Sequence, residues 1–396
     1  MIRIIFLTLI ALSGCFSNRS VPPLPAKPNK EQTICLNMIV KNEAEVIRRC
    51  LDSVKDVIDT WVIMDTGSKD GTQKIIRAHL KDIPGTLYER PWKNWGETRS
   101  EAFELARGKA DYILFMDADD VLEFTDGPKF PKLTEDVYYM WRGNDSFSYL
   151  KQQLVKGDLP WRWVGVTHEY LDCDQPYTSG QLDNVRYLSL DDGASSHDPR
   201  KFLKNVELLQ DGLKKEPKNT RYMFYLAESY YDAGEKAKAL EWYQKRIDMG
   251  GWEVEEIFWS KFRIAYILKS LKVEDPIVIE AFKDAIAHRP HRPEPYYYIA
   301  DLCNSKQDYE TAFKYIEAYE RVKQPKNQDY LFYANWIQNY GLLFQRSICT
   351  YYRGDYEAAI EACDRLIANK NLPDDWRKLA ETNRKFPLEK LANPSE

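Results

Sequence analysis

The sequence predicts a two-part molecule, an α/β domain built on parallel strands followed by an all-helical array. Between residues 33 and 120, short apolar runs alternate with segments of helical periodicity. Alternation of this kind means a sheet of parallel strands crossed by helices. From about Phe202 onward the apolar spacing is almost wholly helical. The length of 396 residues also suits two or three units, at about 150 residues each.

Residues 1–20 stand apart. Met1-Ile2-Arg3 is a basic start, Ile4 to Leu12 is apolar, and Ser13-Gly14-Cys15 follows. This is the layout of a secretory signal, with a run too short to span ~30 Å of hydrocarbon comfortably. Leu12-Ser13-Gly14-Cys15 also resembles a bacterial lipobox, in which the Cys is lipidated after cleavage. The plain alternative is a weak anchor or an over-extended start. Residues 21–32 carry four prolines between Val21 and Lys30 and read as a stiff linker. The expected location is therefore membrane-associated through this segment, or cytoplasmic where the segment is not used.

The α/β domain is expected over residues 33–200. Thr33 to Val40 (TICLNMIV) is a continuous apolar run, as a strand covered on both faces requires. Val46, Ile47, Cys50, Leu51 and Val54 then recur at helical spacing. Thr60 to Met64 is a second buried strand, ending at Asp65 and the turn Thr66-Gly67-Ser68-Lys69-Asp70-Gly71-Thr72. A helix from Gln73 to Leu80, a strand near Thr86 to Tyr88 and a helix from Glu97 to Arg107 come next. Asp111 to Met116 is a fourth strand, running into Asp117-Ala118-Asp119-Asp120.

Composition limits the chemistry. Hydrophobic residues are 44% and charged residues 30%, enough to build real cores. Seven Cys without a CxxC pair argue against a structural zinc site or a disulfide framework. A net charge of −5 argues against nucleic acid as a partner. With only five His, reactivity has to rest mostly on carboxylates. Acidic residues do follow three of the four strands, at Glu43, Asp65 and 117–120. Ligands gather at the carboxyl ends of parallel strands, and converging carboxylates repel unless a cation sits between them. An Asp-x-Asp pair on a tight turn suits a hard divalent ion that keeps positions open for phosphate oxygens. Each Asp alone would equally serve as a turn or helix cap.

Cys35 to Glu43 (CLNMIVKNE), Asp65 to Thr72 (DTGSKDGT) and Phe115 to Asp120 (FMDADD), in this order, resemble the signature series of family-2 glycosyltransferases with the Rossmann-like GT-A fold. The resemblance covers residues 33 to 200. It implies transfer of a sugar from a nucleotide-diphosphate donor with inversion at the anomeric carbon. It further implies that Asp117 and Asp119 form a DxD element holding Mn²⁺ or Mg²⁺ against the diphosphate. Glu43 and Asp65, with backbone near Val40, would contact the nucleoside, and Asn42, Gly67 and Ala118 belong to the same donor-binding set. Arg99, in the Glu97-Thr98-Arg99-Ser100 segment, would face the diphosphate; Ser100 stands where the family usually has Asn.

An inverting transfer needs one general base for the acceptor proton. The candidate segment is Trp161 to Glu169 (WRWVGVTHE), similar to a "G-x-x-HE" stretch of related enzymes, with Glu169 as base and His168 as the local alternative. The competing reading pairs Glu169 with an arginine and leaves His168 an ordinary half-buried ring. His197, in Ser195-Ser196-His197-Asp198, corresponds to a late metal ligand of GT-A folds, and serves equally well as helix-capping material. Trp92, Trp95, Trp141, Trp161 and Trp163 flank the proposed site and are candidates to stack on sugar rings.

Residues 201–396 contain a repeating pattern. Tyr225-Leu226-Ala227 with Ala239-Leu240 is matched by Tyr298-Ile299-Ala300 with Ala312-Phe313, and by a stretched copy at Phe262 to Tyr266 with Ala281-Phe282; Tyr356 to Ile360 closes a fourth. The second-helix alanines 239, 281, 312 and 359 are spaced irregularly, around the period of about 34 residues of tetratricopeptide (TPR) repeats. The pattern resembles a TPR-like solenoid, whose concave face suits a protein or peptide; a plain helical bundle is the alternative. The resulting expectation is a metal-dependent inverting glycosyltransferase acting on a protein, peptide or glycan acceptor positioned by the repeats. The alternative is a membrane-tethered TPR adaptor with a non-catalytic transferase-like domain. A nucleotidyltransferase is disfavoured, because Lys41-Asn42-Glu43 is not a Gly-rich phosphate loop.

Overall fold

The computed structural model describes residues 32–143, 148–251, 253–325 and 331–393. The signal-like segment and nearly all of the Pro-rich linker lie outside the described residues. No described helix is long and apolar enough to cross a membrane.

The chain begins its sheet with β1 (Ile34–Val40), buried along its whole length, as its unbroken apolar run requires. Helix α1 (Ile47–Val54) buries Ile47, Cys50, Leu51 and Val54 against the sheet, the apolar stripe seen in the sequence. Then come β2 (Thr60–Asp65), α2 (Thr72–His79), β3 (Gly85–Glu89), α3 (Trp95–Ala106) and β4 (Tyr112–Phe115). All four strands are parallel, in the order β3-β2-β1-β4. Val40 pairs with Asp65 in the register, which sets the carboxyl ends of β1 and β2 side by side.

Past residue 120 the sheet departs from the expected parallel pattern. The strands β5 (Val121–Phe124), β6 (Val137–Gly143), β7 (Ser148–Lys156) and β10 (Ser179–Leu188) extend it to eight strands, ordered β3-β2-β1-β4-β7-β6-β10-β5. The pairs β4·β7, β6·β7 and β10·β5 are antiparallel, so the sheet is mixed. A separate two-stranded ribbon, β8 (Trp161–Val164) with β9 (Tyr170–Cys173), packs Trp161, Trp163, Leu171 and Cys173 against Phe103 and Phe115.

The remainder is helical: α4 (Lys201–Lys215), α5 (Thr220–Asp232), α6 (Lys236–Met249), α7 (Val254–Ser270), α8 (Asp275–His288), α9 (Glu294–Ser305), α10 (Tyr309–Glu320), α11 (Leu342–Tyr352, entered through a π-helical turn), α12 (Tyr356–Ala368) and α13 (Asp374–Ala392). The four sequence repeats fall on α5/α6, α7/α8, α9/α10 and α11/α12. Ala239 and Ala312 are fully buried where their helices pack, and Tyr243, Phe258, Phe282 and Tyr296 fill the space between layers. One apolar core runs from α4 to α11, with Val166 of the α/β part packed against it, and a smaller one of Leu366, Leu372 and Ala380 closes the array at α12 and α13.

Candidate active site

The site is assembled at the carboxyl ends of β1, β2 and β4. After β1, Asn42 takes the left-handed conformation (φ 58°), which Asn tolerates better than most residues. Its N–H donates to Ser68 Oγ, and its Oδ1 accepts from Lys69 N, both at 2.8 Å. Thr66 N donates to Val40 O at 2.9 Å. Asp65 Oδ1 accepts from the backbone N–H groups of Gly67 and Ser68, each at 2.8 Å, while Oδ2 is buried with no partner. Asp65 therefore shapes its own turn and retains one acceptor. A buried carboxylate oxygen left unmatched is costly unless a ligand meets it.

After β4, the carboxylates separate into two groups. Asp117 meets two arginines, Arg99 Nη2 at 2.5 Å on Oδ1 and Arg142 Nη2 at 3.0 Å on Oδ2. Burial alone would push the Asp117 carboxyl up, yet Arg99 and Arg142 together hold it well below the usual carboxylate range. Arg142 also reaches Asp120 Oδ2 at 3.0 Å; Asp120, only 1% exposed, is nonetheless pushed up to about 7 by burial and by Asp117.

Asp119 and Glu43 form the second group. The loop after β10 crosses the strand ends, where Gly193 N donates to Asp119 Oδ2 and Ala194 N to Glu43 Oε2, both at 3.1 Å. A Cβ on Gly193 would lie 2.8 Å from Asp119 Oδ2 and 3.0 Å from Glu43 Oε2. Arg49 fastens this loop, reaching Asp192 at 2.6 and 2.9 Å and the Asp119 carbonyl at 2.9 Å. Burial pushes Glu43 up to about 7, with Asp119, Asp70 and Asp117 adding to the shift; Asp119 moves in the same direction, by burial and by Asp117.

These oxygen donors fit a hard divalent ion that completes its shell with phosphate oxygens. Of the expected ligands, Asp119 has a second carboxylate, Glu43, as its neighbour across Gly193. Asp117 meets arginines on both oxygens, His197 is exposed, and no three His, Cys, Asp or Glu side chains come together as a metal cluster among the described residues. Ala118 is buried beneath the turn.

Helix α3 joins this centre to the ribbon. Asn94 caps it, accepting from Glu97 N at 2.8 Å. Gly96 allows a close backbone approach, since a Cβ there would meet Gly165 O at 2.2 Å. Ser100 Oγ accepts from Trp163 N at 2.9 Å, which gives the hydroxyl at this position a structural use. Arg99, between Trp95 and Trp163 with its guanidinium 5.7 and 5.4 Å from their rings, reaches Glu169 Oε1 through Nε at 2.7 Å. The competing sequence reading of Glu169, a carboxylate paired with an arginine, thus describes the observed contact. His168 lies flat on Tyr225, ring centroids 4.1 Å apart, and desolvation pushes it down to about 4, so its ring is neutral at pH 7.

Sequence reasoning missed Arg142, Lys151 and the Gly193-Ala194 backbone. Lys151 on β7 sits 5.7 Å from the Trp163 ring; burial first, then Arg142 and Arg99, push it down to about 8. Of the tryptophans, Trp161 and Trp163 are core residues, whereas Trp92 and Trp141 are exposed.

The comparisons with known proteins agree with this architecture. The family model "Glycosyl transferase family 2" matches residues 35–136, and a tetratricopeptide repeat model matches residues 206–251. The SPbeta prophage-derived glycosyltransferase SunS of Bacillus subtilis is 23% identical over 229 residues, covering 54% of this chain and 53% of that protein. An uncharacterized glycosyltransferase of Rickettsia felis is 24% identical over 244 residues, covering 57% of this chain and 78% of its own. A TPR repeat-containing protein of Synechococcus elongatus is 39% identical over 90 residues, covering 22% of this chain and 21% of its own. The chain spans about half the length of the SunS relative. Sheet, strand-end carboxylates and helix pairs agree with these matches: the chain carries a family-2 glycosyltransferase domain joined to tetratricopeptide repeats.

Proposed function

We propose that the protein is a metal-assisted, inverting glycosyltransferase that moves a sugar from a nucleotide-diphosphate donor to an acceptor presented by the helical repeats. The observation that carries this reading is the convergence of Glu43, Asp65, Asp117 and Asp119 at adjacent strand ends within the segment matched by the family model. Asp65, with one unmatched buried oxygen, accepts from the nucleoside. The Asn42 and Gly67 turns shape the rest of that pocket. Asp119, with Glu43 beside it, holds the divalent ion. When bound, such an ion stabilises the charge that builds on the departing diphosphate. Arg99 and Arg142, with Lys151 while it is protonated, add positive charge on the same side, where it favours the departing anion.

Glu169 takes the acceptor proton. His168 is a poor proton acceptor near neutral pH because its surroundings hold it down to about 4. A bound diphosphate would compete for Arg99 and free the Glu169 carboxylate to meet the acceptor when donor is present. The TPR match supports a polypeptide acceptor. Membrane attachment through residues 1–20 is the corresponding proposal for location. A lipobox reading would export the chain away from nucleotide-sugar pools, so the anchor would have to face the donor side; cell fractionation with N-terminal mass measurement tests it.

The functional test incubates the purified chain with Mn²⁺ or Mg²⁺ and a panel of nucleotide sugars, following nucleoside diphosphate release and acceptor mass. Release with a subset of donors, abolished in Asp119→Ala, is expected. No consumption of any donor, or turnover unaffected by Asp119→Ala, would reject the reading.

A further inference from the structure

We propose that the repeat array is part of the catalytic apparatus: Arg221 and Tyr225 of α5 are positioning residues that hold the 165–169 loop so that Glu169 meets Arg99. The proposal rests on the reading of Glu169 as the acceptor-side base.

The loop joins the two short strands of the ribbon, and its backbone is unusual. Gly165 (φ 115°) and His168 (φ 50°) both lie in the left-handed region. Gly tolerates this freely, and His enters it more readily than most residues but still at a cost that its contacts offset. The contacts that hold it there come from the array. Arg221 donates through Nε and Nη2 to the His168 carbonyl, at 3.2 and 2.9 Å. Its guanidinium lies 4.8 Å from the Tyr225 ring and 5.2 Å from the Tyr170 ring. Tyr225 stacks on the His168 imidazole at 4.1 Å with 6° between planes. Arg221 is itself anchored deeper in the array, with Nη1 3.8 Å from Glu256 of α7.

The opposite side of the loop is held by α3. Trp95 N donates to Val166 O at 3.1 Å, and Gly96 packs on Gly165. The loop is therefore clamped between α3, which also carries Arg99, and α5, which belongs to the repeats. From Arg221 through His168, Glu169 and Arg99 to Asp117, each link is a contact of 3.2 Å or less or a covalent neighbour. Among the described residues, Arg221 and Tyr225 make the array's hydrogen bonds and ring contact with His168, while Tyr222 and the helical core hold Val166 two residues earlier. Without Arg221 and Tyr225, the far end of the loop relaxes and turns Glu169 away from Arg99.

The experiment uses the full chain and the donor and ion found active in the screen. Arg221→Ala and Tyr225→Leu are expected to lower kcat at least tenfold, with donor KM and nucleoside diphosphate affinity changed less than threefold. Tyr225→Phe keeps the stack and should stay near wild type, and Arg221→Lys should recover part of the loss. Amide hydrogen exchange over residues 163–170 gives a readout independent of turnover, with protection expected to fall in Arg221→Ala. Unchanged protection there overturns the proposal, whether or not any donor is consumed. So does a folded Arg221→Ala with kcat within twofold of wild type. If wild type consumes no donor while Arg221→Ala loses protection, the functional reading fails and the clamp stands.

Discussion

Replacing Arg99 with methionine isolates the electrostatic centre of the site. The Met stem keeps most of the packing between Trp95 and Trp163, so the lost quantity is mainly charge. Arg99 and Glu169 have side chains only 11% and 9% exposed, and Asp117 is 25% exposed. Removing one member of a buried ion pair costs about 3–5 kcal/mol, because the remaining charge is left uncompensated. Asp117 retains Arg142 at 3.0 Å, so the lower end applies. For a domain of this size, each kcal/mol moves Tm by about 2–4 °C, so about 3 kcal/mol gives a loss of about 6–12 °C. The assay is calorimetric melting of the full chain at neutral pH and low salt. A second substitution sharpens it: Glu169→Gln added to Arg99→Met removes the stranded charge and should recover about 1–2 kcal/mol, a coupling of ordinary size for contacting residues. A melt of Arg99→Met within about 2 °C of wild type, or a double variant no more stable than the single, would refute the assigned network.

Other outcomes follow from the same geometry. Asp119→Ala should lower kcat/KM for the donor by at least about a hundredfold, the scale of losing a preorganised charge partner, and isothermal titration should show weakened Mn²⁺ binding with nucleoside diphosphate present. Gly193→Ala places a methyl group against Asp119 and Glu43; donor KM should rise at least tenfold while Tm changes little, and an unchanged KM would contradict the placement of that loop. Because burial holds Lys151 down to about 8, its ammonium is lost as pH rises through that value. The donor kcat/KM should therefore decline above about pH 8, since this parameter reports the free enzyme, and Lys151→Arg, charged throughout, should flatten the decline. The same pH profile in both proteins would remove Lys151 from the donor site.

How much of this was legible from sequence depended on burial. Strands β1, β2 and β4 are covered on both faces and read as unbroken apolar runs, so they could be recognised along with the acids that follow them. The antiparallel half gives no such signal. Strand β10 (SGQLDNVRYL) buries Leu182, Val185 and Tyr187 between exposed polar residues, and a register shift between Gln181 and Arg186 breaks its alternation. Arg142 lies in a strand rich in aromatics (VYYMWRG) with no motif to mark it, and only its position in the folded sheet places it beside Asp117. Gly193-Ala194 meets Glu43 across 151 residues of chain, a separation no local pattern records. The repeats were visible because small and large residues recur in a fixed internal register. Their docking on the 165–169 loop was not, because Arg221 recognises a backbone carbonyl, and every residue has one.

That docking bears on why a glycosyltransferase domain is joined directly to repeats. A two-stranded ribbon of four residues per strand is marginal alone. Trp161 and Trp163 anchor one face of it to the sheet domain, but the loop that carries Glu169 extends beyond that core. Its geometry has to come from neighbours, and α3 and α5 are those neighbours. The α3 side carries Arg99, which is paired with Asp117 of the strand-end cluster where the donor is proposed to bind. The α5 side belongs to a helical array whose layers from α4 to α11 share one close-packed core, and such cores transmit strain. Glu169 thus lies where the two meet, in contact with Arg99 of α3 and next to His168, which α5 holds. If Glu169 is the acceptor-side base, as proposed, its placement by both sides would tie catalysis to the presence of donor and acceptor together.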